Sequence, residues 1–419
     1  MNVLIVGAGI AGPTLAYWLQ RAGYEPTVVE RSPELRRGGY LVDFWGAGFD
    51  VADQMGIVPE VIRRGYHLAQ VRQVGDEGRR ITAFDPELFV RGTNGRYVSI
   101  ARSELGAIIY GALGGRVETI FGDSVRALDD DGNRVNVTFD SGRTRDFDLV
   151  IGADGLHSEV RRLVFGPQER FEKFLGMTVA AFEVEGYRPR DELVAVMYTQ
   201  VGYQVTRLSL RNDVTMFLFT FVDDGSVANH DAPAQQAALR ARLAGAKWEI
   251  PAILERMGDA KTFYCDRVSQ IQMPSWTRGR VALLGDAAAC VSLLAGQGSA
   301  LAMVEAYVLA AELSRARGNP VQAFARYEQL MPFLRSKQKA ALRLASAFAP
   351  RSGAQLFLRN SAMRLFTLPF VARLAMGNSL RDAIELPPPP APRDNGGRVS
   401  SNEGPASNVQ PSFPRERYR

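Results

Sequence analysis

The chain has few of the residues that build metal sites and disulfide frameworks. There are two cysteines, Cys265 and Cys290, and three histidines, His67, His157 and His230. Two isolated cysteines cannot staple a domain, which fits a reducing compartment. Three scattered histidines do not make a metal cluster. There is no run of five or more Lys/Arg and no zinc-type spacing, so nothing points to nucleic acid. No uninterrupted apolar stretch is long enough to span a bilayer. The apolar start, Val3 to Val6, has no basic leader and is broken at once by Gly7, so it reads as a strand and not as a signal peptide. A cytoplasmic protein is expected.

What is present is an ordinary globular balance. Of 419 residues, 46% are hydrophobic and 23% charged. This length exceeds what one hydrophobic core usually holds, so two domains are expected. The net charge of +5 rests on 50 basic and 45 acidic residues. Spread over a chain this long, that mild bias does not argue for nucleic acid; it is compatible with attraction of a small phosphorylated molecule.

The patterning changes along the chain. Val3 to Val6 is a short apolar run ending in glycine. Ala11 to Ala22 carries Leu15, Leu19 and Ala22 at helical spacing, Gly23 ends it, and Thr27 to Glu30 reads as the next strand. This is a βαβ unit with a parallel sheet. Arg102 to Leu113 reads as another helix. Asp131-Gly132-Asn133 and Asp140-Ser141-Gly142 are turn signals that divide Val125 to Ile151 into a β-meander feeding a strand at Leu149 to Ile151. From Thr178 to Val222, β formers at period two predict an antiparallel sheet, with Phe217, Phe219 and Phe221 on one face of a strand. Arg280 to Leu284 returns to a buried strand, then come a Gly-rich loop, a helix from Ser299 to about Arg315, and further helices to about Ala383. The four prolines Pro387 to Pro390 and the polar residues after them cannot bury a core, so a disordered tail is expected.

Gly7-Ala8-Gly9-Ile10-Ala11-Gly12 is G-x-G-x-x-G between a strand and a helix. Gly7 permits the tight turn, Gly9 lets a pyrophosphate approach the backbone, and Gly12 lets the helix pack on the strand. The helix N-terminus adds free N–H groups. Glu30 ends the second strand about twenty residues on, where a carboxylate accepts from a ribose hydroxyl. A glycine-rich turn with a surface Glu is the plainer reading; strand, helix and Glu30 together argue against it. The fingerprint does not separate FAD from NAD.

Two later segments do. Asp148-Leu149-Val150-Ile151-Gly152-Ala153-Asp154-Gly155-Leu156-His157-Ser158 is followed by Val160-Arg161. Arg280-Val281-Ala282-Leu283-Leu284-Gly285-Asp286-Ala287-Ala288 is followed by Gly296-Gln297-Gly298. With Arg37-Gly38-Gly39, Ser275 to Arg280 and Ala306 to Leu313, these segments make the chain resemble the class A (para-hydroxybenzoate hydroxylase-like) FAD-dependent monooxygenases, and within them the tetracycline destructases. The likeness runs from Met1 to about Arg335.

The resemblance implies an α/β protein: a Rossmann-like FAD-binding domain, a second antiparallel β-sheet substrate domain and C-terminal helices. The FAD-binding domain would take 1–70, 99–170 and 275–318, the substrate domain 71–98 and 171–274, the helices 319–385 and the tail 386–419. It implies a monooxygenase that uses NADPH or NADH and O2 to oxygenate an aromatic or polyketide-like small molecule through a flavin C4a-hydroperoxide. Glu30 and Arg31 would hold the adenosine end of FAD, and Arg102 would reach its flavin side. Asp154 and Gly155 would sit in the motif tied to both FAD and the nicotinamide cofactor. Asp286 would bond the ribityl hydroxyls and pyrophosphate region. Gly38 and Gly39 would lie beside the isoalloxazine, and Gly296, Gln297 and Gly298 at its pyrimidine edge. The hard chemistry belongs to the flavin, so no catalytic side chain is implied. Phe217, Phe219 and Phe221 are candidates for an apolar roof over the flavin, weighed against plain core packing. No metal is expected, and the protein is expected as a monomer or a dimer.

The sequence departs from the family where an aromatic or His usually follows Gly-Asp-Ala-Ala and a proline comes four residues later. Here Ala289 and Leu293 stand there. This keeps open a flavin-dependent oxidase or reductase without oxygen insertion. A non-catalytic flavin- or drug-binding protein is the second alternative. Cys290 reads as a small packing residue. Gln355 to Leu374, with Phe357, Phe366, Phe370, Arg359, Arg364 and Arg373, reads as a helix packed across the two domains with snorkelling arginines, in preference to a membrane-bound one.

Overall fold

The computed structural model describes residues 1–36, 38, 40–86, 93, 95–365 and 384–391, with the side chains of all but 343–347. The chain opens with β1 (Asn2–Val6), α1 (Ala11–Arg21) and β2 (Glu25–Glu30). β1 and β2 pair in parallel, as the βαβ reading requires. Next come β3 (Leu41–Trp45), α2 (Ala47–Gln54), α3 (Val58–Arg64), β4 (Gln70–Val74), β5 (Arg80–Phe84) and β6 (Tyr97–Ala101). They are followed by α4 (Arg102–Gly111), β7 (Glu118–Phe121), the meander β8 (Val125–Asp130), β9 (Val135–Phe139) and β10 (Thr144–Phe147), then β11 (Leu149–Gly152) and α5 (Glu159–Val164). The two turn signals fall between β8, β9 and β10 as expected.

β12 (Glu172–Glu185), β13 (Val194–Gln200), β14 (Tyr203–Ser209) and β15 (Val214–Val222) follow, then α6 (Ala232–Arg242), α7 (Ile250–Arg256) and β16 (Phe263–Ile271). β17 (Thr277–Arg278), β18 (Val281–Leu283), the short α8 (Asp286–Ala289) and α9 (Gly298–Arg315) return the chain to the first domain. α10 (Pro320–Tyr327), α11 (Met331–Phe348) and α12 (Gly353–Leu365) close it.

Two sheets organise the described residues. The six-stranded sheet has the order β17-β18-β11-β1-β2-β7, parallel except for β17. β11 and β18 are buried throughout and β1 nearly so, which is why they read as unbroken apolar runs. The seven-stranded sheet has the order β16-β12-β15-β14-β13-β4-β5. Its β4 and β5 come from far upstream, and β4 enters it parallel to β13.

The outer face of that sheet buries Phe182, Phe217, Phe219 and Phe221 against Leu239 of α6 and Ile253 of α7. This corrects the expected roof by one residue of pleat. Phe217, Phe219 and Phe221 do share a face, but it is the helix-covered one, and none of the three lines the cavity. Leu218 and Thr220, between them, face it instead.

A second correction concerns the C-terminus. The residues from Ile384 to Ala391 return to the first domain. Tyr307 donates to the Pro387 carbonyl at 2.7 Å, Ser314 Oγ to the Ala391 carbonyl at 3.3 Å, and Ile384 and Leu386 pack on the core. Proline lacks a donor but keeps its carbonyl acceptor, and that acceptor anchors this segment. Residues 392–419 lie outside the described ones, as do Phe366, Phe370 and Arg373.

Candidate active site

One cavity of about 1140 Å³ is lined by residues of both large sheets. One end is the turn after β1. Gly7 has φ +109°, and a Cβ on it would meet the Ala153 carbonyl oxygen at 2.5 Å. A Cβ on Gly12 would stand 1.9 Å from the Gly7 carbonyl oxygen, so only glycine lets α1 pack this closely on the turn. Gly9 differs. Its nearest neighbour would be Arg102 Nη2 at 3.8 Å, and it faces the cavity. The backbone here is a cradle that a side chain would fill.

Glu30 Oε2 accepts from the Ala8 N–H at 2.8 Å and Oε1 from the Ser32 N–H at 3.0 Å. A carboxylate has lone pairs left for a ribose hydroxyl. Arg31, Arg36 and Arg102 line the same end. Burial, then the charges of Arg31 and Arg102, hold Arg36 below the usual arginine range, and Glu30 opposes them. Three guanidiniums beside the N-terminus of α1 suit a diphosphate.

Asp154 lines the cavity and also caps α5. It accepts from Ser158 Oγ at 2.6 Å and from the N–H groups of Glu159 and Val160 at 2.7 and 3.1 Å. Burial raises its carboxyl above the usual range, and these bonds moderate the rise. Gly155 lines the cavity beside it. One turn on, Arg161 is fully buried. It donates to the Leu156 carbonyl at 2.6 Å, to Gln168 Oε1 at 3.1 Å and to the Ala287 carbonyl at 2.9 Å. A single guanidinium thereby ties the Asp154 loop to the Asp286 loop.

Asp286, Gly296 and Gly298 line the cavity, and Gly298 begins α9, whose free N–H groups and positive dipole end lie at that wall. Gln297 is buried off the wall. Gly38 lines the cavity; Gly39 lies outside the described residues. The segment after Asp286 divides in two. Ala289 packs into the core, while Cys290, Ser292, Leu293, Leu294 and Ala295 line the cavity. Ser292 has φ +94°, a region that favours glycine, and its Oγ accepts from the Leu294 N–H at 3.2 Å. Burial pushes the Cys290 thiol well above its usual range, so it stays a neutral packing group.

Tyr40 and Tyr264, with ring centroids 5.4 Å apart, both line the cavity. Burial raises both hydroxyls, that of Tyr40 to about 12, so both remain protonated. The far end is walled by Val179, Met197, Gln204, Leu218 and Thr220 of the seven-stranded sheet and by Leu358, Arg359 and Met363 of α12. Among the described residues, no group of three or more His, Cys, Asp or Glu could hold a metal, and no helix is long and apolar enough to cross a membrane.

The FAD binding domain family matches residues 1–323. An uncharacterized protein of Mycobacterium tuberculosis (strain H37Rv) is 40% identical over 332 residues, covering 78% of this chain and 88% of the relative. A flavin-dependent monooxygenase from an unknown prokaryotic organism is 35% identical over 350 residues, covering 83% of this chain and 90% of the relative. The crystal structure of tetracycline destructase Tet(51) matches with a TM-score of 0.79 at 34% identity, covering 92% of this chain and 99% of that one. The chain belongs to the class A FAD-dependent monooxygenases.

In this monooxygenase the open cradle at Gly9, the three arginines and the free face of Glu30 fit FAD. The sequence reading missed the groups that hold the site from behind. Glu305 of α9 accepts from the Gly285 N–H at 2.9 Å. Tyr327 keeps its hydroxyl within 3.0 Å of the Leu283 carbonyl and 3.3 Å of Glu305. An acid inside the otherwise apolar 300–311 run was the available signal, since such a group, once buried, needs a reason.

Proposed function

We propose that this monooxygenase takes electrons from NADPH or NADH and uses O2 to oxygenate an aromatic or polyketide-like small molecule. The observation that carries the reading is the continuity of one cavity from the Gly7–Gly12 turn to the inner face of the seven-stranded sheet. Gly7, Gly9 and the N-terminus of α1 would hold the pyrophosphate, Glu30 and Arg31 the adenosine end, and Arg102 and Asp286 the flavin side. Gly38, Gly296 and Gly298 would border the ring. When bound, FAD supplies the electron transfer and the oxygen chemistry.

The protein's own part is positioning and exclusion. N–H groups at the start of α9 would stabilise negative charge at the adjoining edge of the ring. Leu293, Leu294 and Leu218 keep water from the reacting end, which limits escape of oxygen as peroxide. The neutral hydroxyls of Tyr40 and Tyr264, both in the cavity lining, would be able to donate to a bound molecule but not to take a proton from it. Ala289 packs behind the wall and Leu293 keeps the wall apolar, so the departure at these two positions changes the shape of the site more than its polarity, and oxygenation is retained.

The test is NADPH oxidation by the purified yellow protein over a panel of phenols, anthracyclines and tetracyclines, with product masses. A substrate-stimulated rate and a product heavier by one oxygen atom are expected. Full recovery of electrons as peroxide with every compound, and no gain in mass, would overturn the reading in favour of an oxidase or reductase.

A further inference from the structure

The cavity-facing side of the seven-stranded sheet carries a buried polar row. Gln73, Thr199, Gln204 and Thr220 are all buried. Thr199 lies opposite Gln204, and Gln204 opposite Thr220. Gln73 lies opposite Met197, two residues along the same face. A face that had only to pack would be apolar at these positions.

The row meets Arg359 of α12. Arg359 Nη1 donates to Gln73 Oε1 at 3.1 Å, and Nη2 to Gln204 Oε1 at 2.8 Å. Nη1 also lies 3.2 Å from Asn360 Oδ1. The Thr199 hydroxyl donates to Gln204 Oε1 at 3.0 Å, which helps fix that amide. Gln204, Thr220 and Arg359 line the cavity, with Met197, Leu218 and Leu358 offering apolar surface beside them. The amide oxygens orient the guanidinium plane towards the cavity wall that Arg359 helps to form. Burial pulls Arg359 down to about 10, still well above neutral pH, so the guanidinium stays charged. The planar fork of an arginine matches a carboxylate or a delocalised enolate.

We propose that Arg359, positioned by Gln73 and Gln204, is a specificity residue that recognises an anionic oxygen, carboxylate or enolate, borne on an aromatic ring system. The inference rests on the reading of this end of the cavity as the substrate end. It deepens that reading by naming a charge for the substrate.

The test titrates the FAD-loaded, oxidised protein with 1-hydroxy-2-naphthoate and with its methyl ester, without NADPH, and reads binding from the flavin absorbance. Wild type should bind the acid about tenfold more tightly than the ester. Arg359→Gln should lose that preference and leave the affinity for the ester unchanged. Arg359→Lys should keep part of it, and Gln204→Leu should weaken it with the charge still present. Equal affinities in wild type, no binding of either compound, or an equal loss for both in Arg359→Gln overturns the proposal. If Arg359→Gln does not fold, the wild-type ratio and Arg359→Lys decide the matter. Products without added oxygen, alongside an intact acid preference, would overturn the oxygenase reading and leave this subsite standing.

Discussion

Glu305 Oε2 accepts a hydrogen bond from the Gly285 N–H at 2.9 Å, so a buried acid on α9 holds the turn that presents Asp286. Burial raises the Glu305 carboxyl to about 8. The folded pKa lies above the unfolded value of about 4.5, so the folded state binds the extra proton between them. Stability from this group is complete below about pH 4.5 and is lost as pH rises towards 8. Glu305→Gln keeps an acceptor for Gly285 and removes the titration. Thermal melts of the variant should show a flatter pH profile over that window, with the difference from wild type on the order of a few kcal/mol. Parallel profiles would show that Glu305 is already ionised in the folded protein.

Gly9→Leu should give a folded, colourless protein. A Cβ at this position has no protein atom closer than 3.8 Å, so the fold tolerates the side chain, and the side chain occupies the cradle. Circular dichroism should match wild type while the visible flavin bands are absent. For wild type, acid precipitation should leave FAD in the supernatant, since no covalent attachment motif is present. Colour on the pellet, or a yellow Gly9→Leu protein, contradicts this placement.

His157 and Asp266 join the Asp154 loop to β16, with His157 Nε2 at 3.0 Å from Asp266 Oδ1. The hydrogen bond to Asp266 raises His157, and burial opposes it. A raised histidine adds stability below its unfolded pKa of about 6.5 and loses it as pH climbs through the folded value. His157→Gln should remove a melting-temperature decline that begins above about pH 6.5. This loss has the same sign as that of Glu305, so the single variants, measured separately, assign each portion.

On β15, Phe219→Ala should cost about 3–5 kcal/mol, the range for emptying a buried aromatic site. Phe219 is 1% exposed and stacks on Phe182 at 5.7 Å. Leu218→Ala, one residue away, should lose less stability, retain FAD and change the order of preference among substrates. Denaturant melts and KM ratios over the compound panel measure the two effects. Equal destabilisation with no change in preference would place Leu218 in the core as well.

Sequence made the first domain readable because its constraints are local. The glycines of the turn, the run at Val3 to Val6 and Glu30 lie within one βαβ unit, where spacing alone implies contact. The period-two pattern of β15 was equally plain, but not its polarity. Neither face is exposed, and which one meets helices depends on α6 and α7, later in the chain. Arg359 and Gln73 stand 286 residues apart in sequence, so nothing near either announces the other. Asp154 both lines the cavity and caps α5, a combination that spacing alone does not show. The proline segment misled because composition records its missing donors and not its carbonyls, one of which Tyr307 uses.

The alternation along β15 means that one strand carries two interleaved tracks of information. Odd positions from 217 to 221 answer to the aromatic layer under α6 and α7, and even positions to whatever enters the cavity. Drift in the even track can proceed while the odd track stays fixed, because the side chains of the two tracks point to opposite faces and pack into different clusters. A lineage carrying this strand can therefore explore new small molecules without first accumulating spare stability, and a library confined to positions 218 and 220 should stay largely folded.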